Sequence, residues 1–339
     1  MTREEQPQTH YQPLPPQMAA TYPQVHSMLN PHLVAASFQP VGIHQHYNEE
    51  AHDHGEDVPH EGQVHMLITG IDYACDTQSW AGPVKGHGPL DTKFAFEMVK
   101  DLAWKSGADY MTLWNEQCTS EGIIEAIREV GAKCQPDDTF IFYYTGHGDQ
   151  LPDPTGHEHM DQCLCLVDAN GNTDDATMTY RQQVWLRDDT LAKTITDSTD
   201  PKVKVLVLVD ACHSGTICDF TEDSAWARRR QRAISISGCE DNQTSAGTGR
   251  GGMFTRALTK AVQGISADSS NAKVSSIYNL TLQHYNQDKR PGHTQNIAIH
   301  GCAVRPNEMC WPLHPKKTYS SPANAKWKGR GGMTGLHLH

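Results

Sequence analysis

The sequence predicts an α/β protein built on a mainly parallel central β-sheet with helices on both faces. Three observations lead there. Segments that read as strands alternate with segments that read as helices, the pattern of parallel crossover units. The strand segments are apolar at consecutive positions, as in "KVKVLVLVDA" (202–211), so both faces of the sheet are covered. Two of them also run out into polar residues flanked by small ones, and parallel sheets gather functional groups at the carboxyl ends of their strands.

The elements follow in order from Gln63. "VHMLITGIDY" (64–73) is a strand, and "LDTKFAFEMVKDLAWKSG" (90–107) a helix with apolar residues three to four apart. "DYMTLWNE" (109–116) is a second strand, followed by a helix over 119–134 with Thr119 or Ser120 as N-cap and Glu121 in its first turn. "DDTFIFYYTGHG" (137–148) is a third strand. "QCLCLVDA" (162–169) is a short strand or excursion, and 186–198 a short helix. After the strand at 202–211 come "AISISG" (233–238), helices over 251–264 and 275–287, and a last strand, "TQNIAIHG" (294–301). This divides the chain into a Pro/Gln/His-rich arm (1–62), a body of two parts (63–222 and 233–311) around a basic linker (223–232), and a tail (312–339).

The arm has little apolar surface to bury and is expected to be mobile. Its histidines, clustered in "HQHYNEEAHDHGEDVPH" (44–60), are metal-binding in type, but no spacing orients them. A formal charge of −12 and a pI near 5.9 argue against a nucleic-acid or anionic-membrane partner. The N-terminus is polar, and no run reaches the ~18 apolar residues of a membrane span. A soluble cytoplasmic protein with reduced thiols is expected, since its ten cysteines are scattered along the chain. The sequon at Asn279 then has no role.

Two strand ends carry the chemistry. "FIFYYTGHGDQ" places His147 between Gly146 and Gly148, and "VLVLVDACHSG" places Cys212 two residues after Asp210. Taken singly, His147 reads as a satisfied loop histidine and Cys212 as a buried thiol. Taken together on one rim they are a nucleophile and its base, with the amides of Gly148 and Cys212 as donors to an oxyanion. Asp210 is on the same strand face as Cys212, where a carboxylate attracts Arg or Lys and repels Asp.

The blocks "YYTGHGDQ" and "VDACHSGTICDF" resemble the two signature blocks of metacaspases, which are caspase-like cysteine peptidases. "AISISGCEDNQTSA" (233–246) is similar to the start of that family's small-subunit region, and "MDQCLCLVD" (160–168) to the acidic segment after its catalytic histidine. The resemblance covers roughly residues 63–305, in an order like the type I arrangement. It implies a caspase-like fold, with His147 as general acid/base and Cys212 as nucleophile. It places Asp210, Asp91 and Thr145 at a pocket for Arg or Lys, and Asp161, Asp188, Asp189 and Asp219 at a Ca2+ site. In two respects the chain departs from the pattern. His147 and Cys212 are 65 residues apart, against about 50 in caspases. Asp91 follows Gly-Pro-Leu where the family has another pattern, and reads equally as a helix N-terminal acid.

Other readings stay open. Arg228, Arg229, Arg230 and Arg232 form either a solvated linker or a self-cleavage site. His157, His159, Cys163 and Cys165 have weak zinc-ligand spacing. Cys218 and Cys239 are redox partners of the nucleophile or plain packing. The expectation is a monomeric, calcium-dependent cysteine endopeptidase acting on proteins or peptides after Arg or Lys. The alternative is a calcium-responsive pseudopeptidase or scaffold on the same fold, against which the intact His and Cys argue.

Overall fold

The computed structural model describes residues 62–74, 89–154, 160–173, 178–240, 252–265, 272–289 and 296–315. The arm up to 61, the chain beyond 315, and His157 and His159 lie outside the described residues. The strands are β1 (Val64–Gly70), β2 (Asp109–Trp114), β3 (Thr139–Thr145), β4 (Gly148–Pro152), β5 (Met160–Leu164), β6 (Leu186–Arg187), β7 (Lys204–Asp210), β8 (Ala233–Ser237) and β9 (Ala298–Cys302). The helices are α1 (Pro89–Ser106), α2 (Ser120–Gly131), α3 (Met178–Val184), α4 (Asp188–Ser198), α5 (Ala225–Arg229), α6 (Met253–Gly264) and α7 (Val274–Asp288).

Six strands form one sheet in the order β2-β1-β3-β7-β8-β9, parallel throughout except for β9, which runs antiparallel to β8 at the edge. Consecutive apolar residues are sorted by the two-residue pleat. Phe140, Phe142, Tyr144, Val205, Val207 and Val209 face one layer, packed by α2 and α4. Ile141, Tyr143, Leu206, Leu208, Ile234 and Ile236 face the other, packed by α1, α6 and α7. The helices supply matching stripes, such as Ile123, Ala126, Ile127 and Val130 on α2. Thr119 caps α2, its side-chain oxygen accepting the Gly122 N–H at 3.0 Å.

Four features sharpen or correct the sequence reading. The 162–169 segment does not join the main sheet: β5 lies between β4 and β6 in a small antiparallel sheet. The stretch before residue 186 contains α3, and the folded body runs past 311, because Leu313 is fully buried. The basic linker is folded rather than open. Trp226 of α5 is fully buried, donates its ring N–H to the Cys218 carbonyl at 2.7 Å and meets Phe220 edge-on at 5.5 Å. Gln231, also fully buried, donates to the carbonyls of Asp200 and Val203, at 3.1 and 2.7 Å. Among the described residues no helix is long and apolar enough to cross a membrane.

If Trp226 fixes the segment as its burial implies, Trp226→Ala destabilises the protein by ~3–5 kcal/mol, the usual cost of deleting a large core aromatic. The check is urea unfolding, with limited proteolysis showing new cleavage within 223–232.

Candidate active site

The parallel register of β3 and β7 decides where the two key residues go. Thr145 pairs with Asp210 at the last rung, and the Gly146 N–H carries the contact one step further, donating to the Asp210 carbonyl at 3.4 Å. His147 and Cys212 each follow the last paired residue by two positions, so both lie on the carboxyl rim, side by side. Gly148 closes the gap. A Cβ there would collide with the Cys212 carbonyl oxygen and lie 3.2 Å from the Ala211 Cβ, so only glycine allows this approach. Beyond Cys212 the chain turns sharply, with His213 at φ 50 and Asp219 at φ 40, both in the left-handed region that non-glycine residues rarely adopt.

Cys212 is partly exposed, whereas Cys118, Cys163, Cys165, Cys218 and Cys239 are buried. Burial pushes the Cys118 thiol up to about 12 and raises Cys163, Cys165 and Cys218 as well, which leaves them inert. Cys163 and Cys165 pack in a small apolar cluster with Leu151 and Trp185, the opposite of what zinc thiolates require.

The β4–β5 ladder sets the direction of the Gly148 N–H. The Cys165 N–H donates to the His147 carbonyl at 3.0 Å, which makes His147 and Cys165 a hydrogen-bonding position of that ladder. Hydrogen-bonded and non-bonded pairs alternate in an antiparallel ladder. The next pair, Gly148–Leu164, is therefore non-bonded, and the Gly148 N–H points away from β5.

Asp210 is buried, and its carboxylate is engaged from the side of α6. Thr255, in the first turn of that helix, donates its hydroxyl at 2.6 Å and its N–H at 3.2 Å to Asp210 Oδ2. The Thr255 hydroxyl also meets that of Tyr143 at 2.7 Å. A Cβ on Gly252 would collide with the carboxylate, so bare backbone forms that wall. The charge thus lies against a helix N-terminus, where a carboxylate is stabilised. Thr145 is buried beside it on β3. Asp91 is half-buried in the first turn of α1, a helix whose N-terminus lies at this same rim because it follows β1 in a parallel crossover. Sequence reasoning missed Thr255. Its signal was a hydroxyl three residues into a helix whose cap, Gly252, has no side chain.

The four aspartates expected at a metal site come from three elements. Asp161 is on β5, Asp188 and Asp189 open α4, and Asp219 ends the turn after Cys212. Asp161 is buried and pairs with the Arg187 guanidinium; its carboxyl is nonetheless raised, by burial first, with Asp153 and Asp189 adding to it. Asp188 is fully buried. Burial, then the Asp219 charge, and less strongly Asp161, push it up to about 9, although it accepts N–H groups from Gln162 and Asp189. A groove of about 1070 Å³ runs past Asp153, Asp161, Asp189, Asp219 and Asp223 to Arg228. Among the described residues no three His, Cys, Asp or Glu side chains form a ready-made metal cage. The four side chains offer only carboxyl oxygens, the atom type that suits a hard divalent cation.

Arg228 donates to the Asp223 carbonyl, Arg229 to Thr199 at 3.0 Å, and Arg232 to Lys202 at 2.9 Å. Arg228 and Arg230 are exposed, and Arg230 caps α5 in the left-handed region at φ 53.

The family model "Caspase domain" matches residues 92–298. The chain belongs to the caspase-domain peptidase family. Within it the similarity is to metacaspases: 26% identity to "Metacaspase-2" of Arabidopsis thaliana, covering 60% of this chain and 52% of that one. "Metacaspase-1" of the same plant is also 26% identical, over 61% of this chain and 62% of the relative. The chain thus spans between half and two thirds of the length of these relatives. Among solved structures, protein GSU0716 from Geobacter sulfurreducens shares the fold at a TM-score of 0.52 and 20% identity, covering 75% of this chain and 99% of that one.

Folded Asp188 holds a proton that the unfolded chain releases, so metal-free stability falls as pH rises from the ordinary carboxylate range through about 9. Asp188→Asn removes that dependence. In chelator its melting temperature should match wild type near pH ~4 and exceed it by about 5 °C at pH ~8, as followed by thermal denaturation.

Proposed function

We propose that the chain is a calcium-dependent cysteine endopeptidase that cleaves after Arg or Lys through Cys212 and His147. The observation that carries this reading is the rim itself: the Thr145–Asp210 rung puts His147 and Cys212 at equivalent positions, with Gly148 against the Cys212 backbone.

His147 takes the proton from the Cys212 thiol, and the sulfur attacks the scissile carbonyl carbon. The carbonyl oxygen becomes an oxyanion that accepts from the N–H groups of Gly148 and Cys212. Collapse breaks the C–N bond, and His147 passes its proton to the departing amine. The resulting thioester is hydrolysed by a water that gives a proton to His147, which releases the acid and restores the thiol. Asp210 supplies negative charge for the P1 side chain from behind bare glycine backbone, and Thr145 and Asp91 border the same rim. Asp161, Asp188, Asp189 and Asp219 would hold Ca2+, which screens their mutual repulsion and orders the turn carrying Asp219 next to the nucleophile. Processing at Arg228–Arg232 requires α5 to open first, because Trp226 and Gln231 anchor that segment.

The test uses Arg-, Lys- and Asp-terminated fluorogenic peptides with calcium and with chelator. Wild type should turn over Arg and Lys peptides only with calcium, and Cys212→Ala and His147→Ala should each lose about a thousandfold or more in kcat. Signal from Cys212→Ala would defeat the dyad, and cleavage after Asp alone would defeat the pocket. Calcium binding by wild type without turnover of any peptide would establish the pseudopeptidase instead.

A further inference from the structure

We propose that Tyr73 is a positioning residue for His147, holding its backbone and ring in the orientation that serves Cys212. The inference rests on the assignment of His147 as the acid/base. Tyr73 touches neither the thiol nor the scissile bond in that scheme, and it acts through His147.

The first argument is a gap in a ladder. Continuing the β4–β5 register back by one residue pairs His147 with Cys165, and a hydrogen-bonded antiparallel pair exchanges two N–H···O bonds. One is present, from the Cys165 N–H to the His147 carbonyl at 3.0 Å. The place of the other is taken by the Tyr73 hydroxyl. It accepts the His147 N–H at 2.8 Å and donates to the Cys165 carbonyl at 2.8 Å. A side chain from the end of β1 is therefore spliced into the main-chain pairing of the residue whose imidazole does the chemistry.

The second argument is contact with the ring. The Tyr73 and His147 ring centroids are 4.8 Å apart at 33°, so the phenol backs the imidazole as well as fixing its peptide. The third is backbone conformation. Tyr73 has φ 55, a disfavoured value for an aromatic residue. Just before it the chain still follows β3, the Ile71 N–H donating to the Thr145 carbonyl at 3.1 Å. The left-handed turn then directs the phenol across the end of β3, and Ile71, Tyr73 and Tyr144 are all buried there.

The surroundings fit this role. The Tyr144 hydroxyl, 3.3 Å from that of Tyr73, donates to the His147 carbonyl at 2.8 Å. With the Cys165 and Tyr73 bonds, this satisfies both the N–H and the C=O of His147. A Cβ on Gly146 would stand 2.5 Å from the Tyr144 oxygen and 3.0 Å from that of Tyr73, so glycine at 146 is what lets both hydroxyls reach their neighbour. Burial raises both phenols well above their ordinary range, which keeps them neutral O–H donors wherever the enzyme works.

The experiment compares wild type, Tyr73→Phe, Gly146→Ala and His147→Ala as full-length chains. Three quantities are measured: kcat and KM on the Arg peptide with calcium, the rate of Cys212 alkylation by iodoacetamide read by peptide mass, and thermal melting. Tyr73→Phe should lower kcat by about tenfold or more with KM changed less than about twofold, and should slow Cys212 alkylation as His147→Ala does. Gly146→Ala, which keeps both tyrosines but pushes them off His147, should do the same and decides the matter if Tyr73→Phe folds poorly. Unchanged kcat and alkylation in a folded variant overturn the proposal. So does a lower melting temperature with normal alkylation, which would make the hydroxyl a plain structural bond. Alkylation needs no turnover, so wild type that cleaves no peptide counts against the peptidase reading while the alkylation comparison still decides the role of Tyr73.

Discussion

Seven consecutive residue pairs hold β3 against β7, from Thr139–Lys204 to Thr145–Asp210, and nearly everything at the rim inherits its position from that register. A slip of one residue would exchange the faces of every side chain on one strand. A slip of β3 would take Tyr144 out of the layer in which its hydroxyl reaches His147, and a slip of β7 would take Asp210 out of the layer of α6 and Thr255. The slip is forbidden by the core itself: Phe140, Phe142 and Tyr144 are buried on one side and Ile141 and Tyr143 on the other, with no polar position to tolerate the inversion.

Around that rung the protein manages three buried carboxylates in three ways. Asp210 is met by the hydroxyl and N–H of Thr255 at a helix start. Asp161 is met by a guanidinium. Asp188 has backbone N–H groups for company but faces the charges of Asp219 and Asp161, and burial holds it protonated. The first arrangement is complete as it stands, and the last is not. Asp210 is thus fixed against the start of α6, whereas Asp188 escapes repulsion by Asp219 and Asp161 only while it keeps its proton.

Much of this could be read in the sequence because burial on both faces writes itself as apolar runs. The strands β1, β3, β7 and β8 and the helices α1, α2, α6 and α7 fall within a few residues of their expected limits, and the His and Cys turns stand where those runs end. The small sheet of β4, β5 and β6 was less visible: β6 is two residues long, and β4 begins inside what reads as the end of β3. The folding of the basic linker was hidden by its charge, since a single tryptophan and a single glutamine anchor it. Tyr73 was invisible for a different reason. Its importance lies in a left-handed turn and in a ladder position 92 residues away, and neither has a local signature.

The position of β8 gives α5 a further meaning. β8 is an interior strand, paired along five residues with β7 on one side and five with β9 on the other. Asp210, upstream of α5, is bonded to Thr255, downstream of it. A nick anywhere in Arg228–Arg232 would therefore create two polypeptides but not two bodies. The pieces would stay interleaved as a noncovalent pair sharing one sheet, with Cys212 and Asp210 on one piece and Thr255, which bonds the Asp210 carboxylate, on the other. Such a pair would migrate as two bands under denaturing conditions and as one particle under native ones.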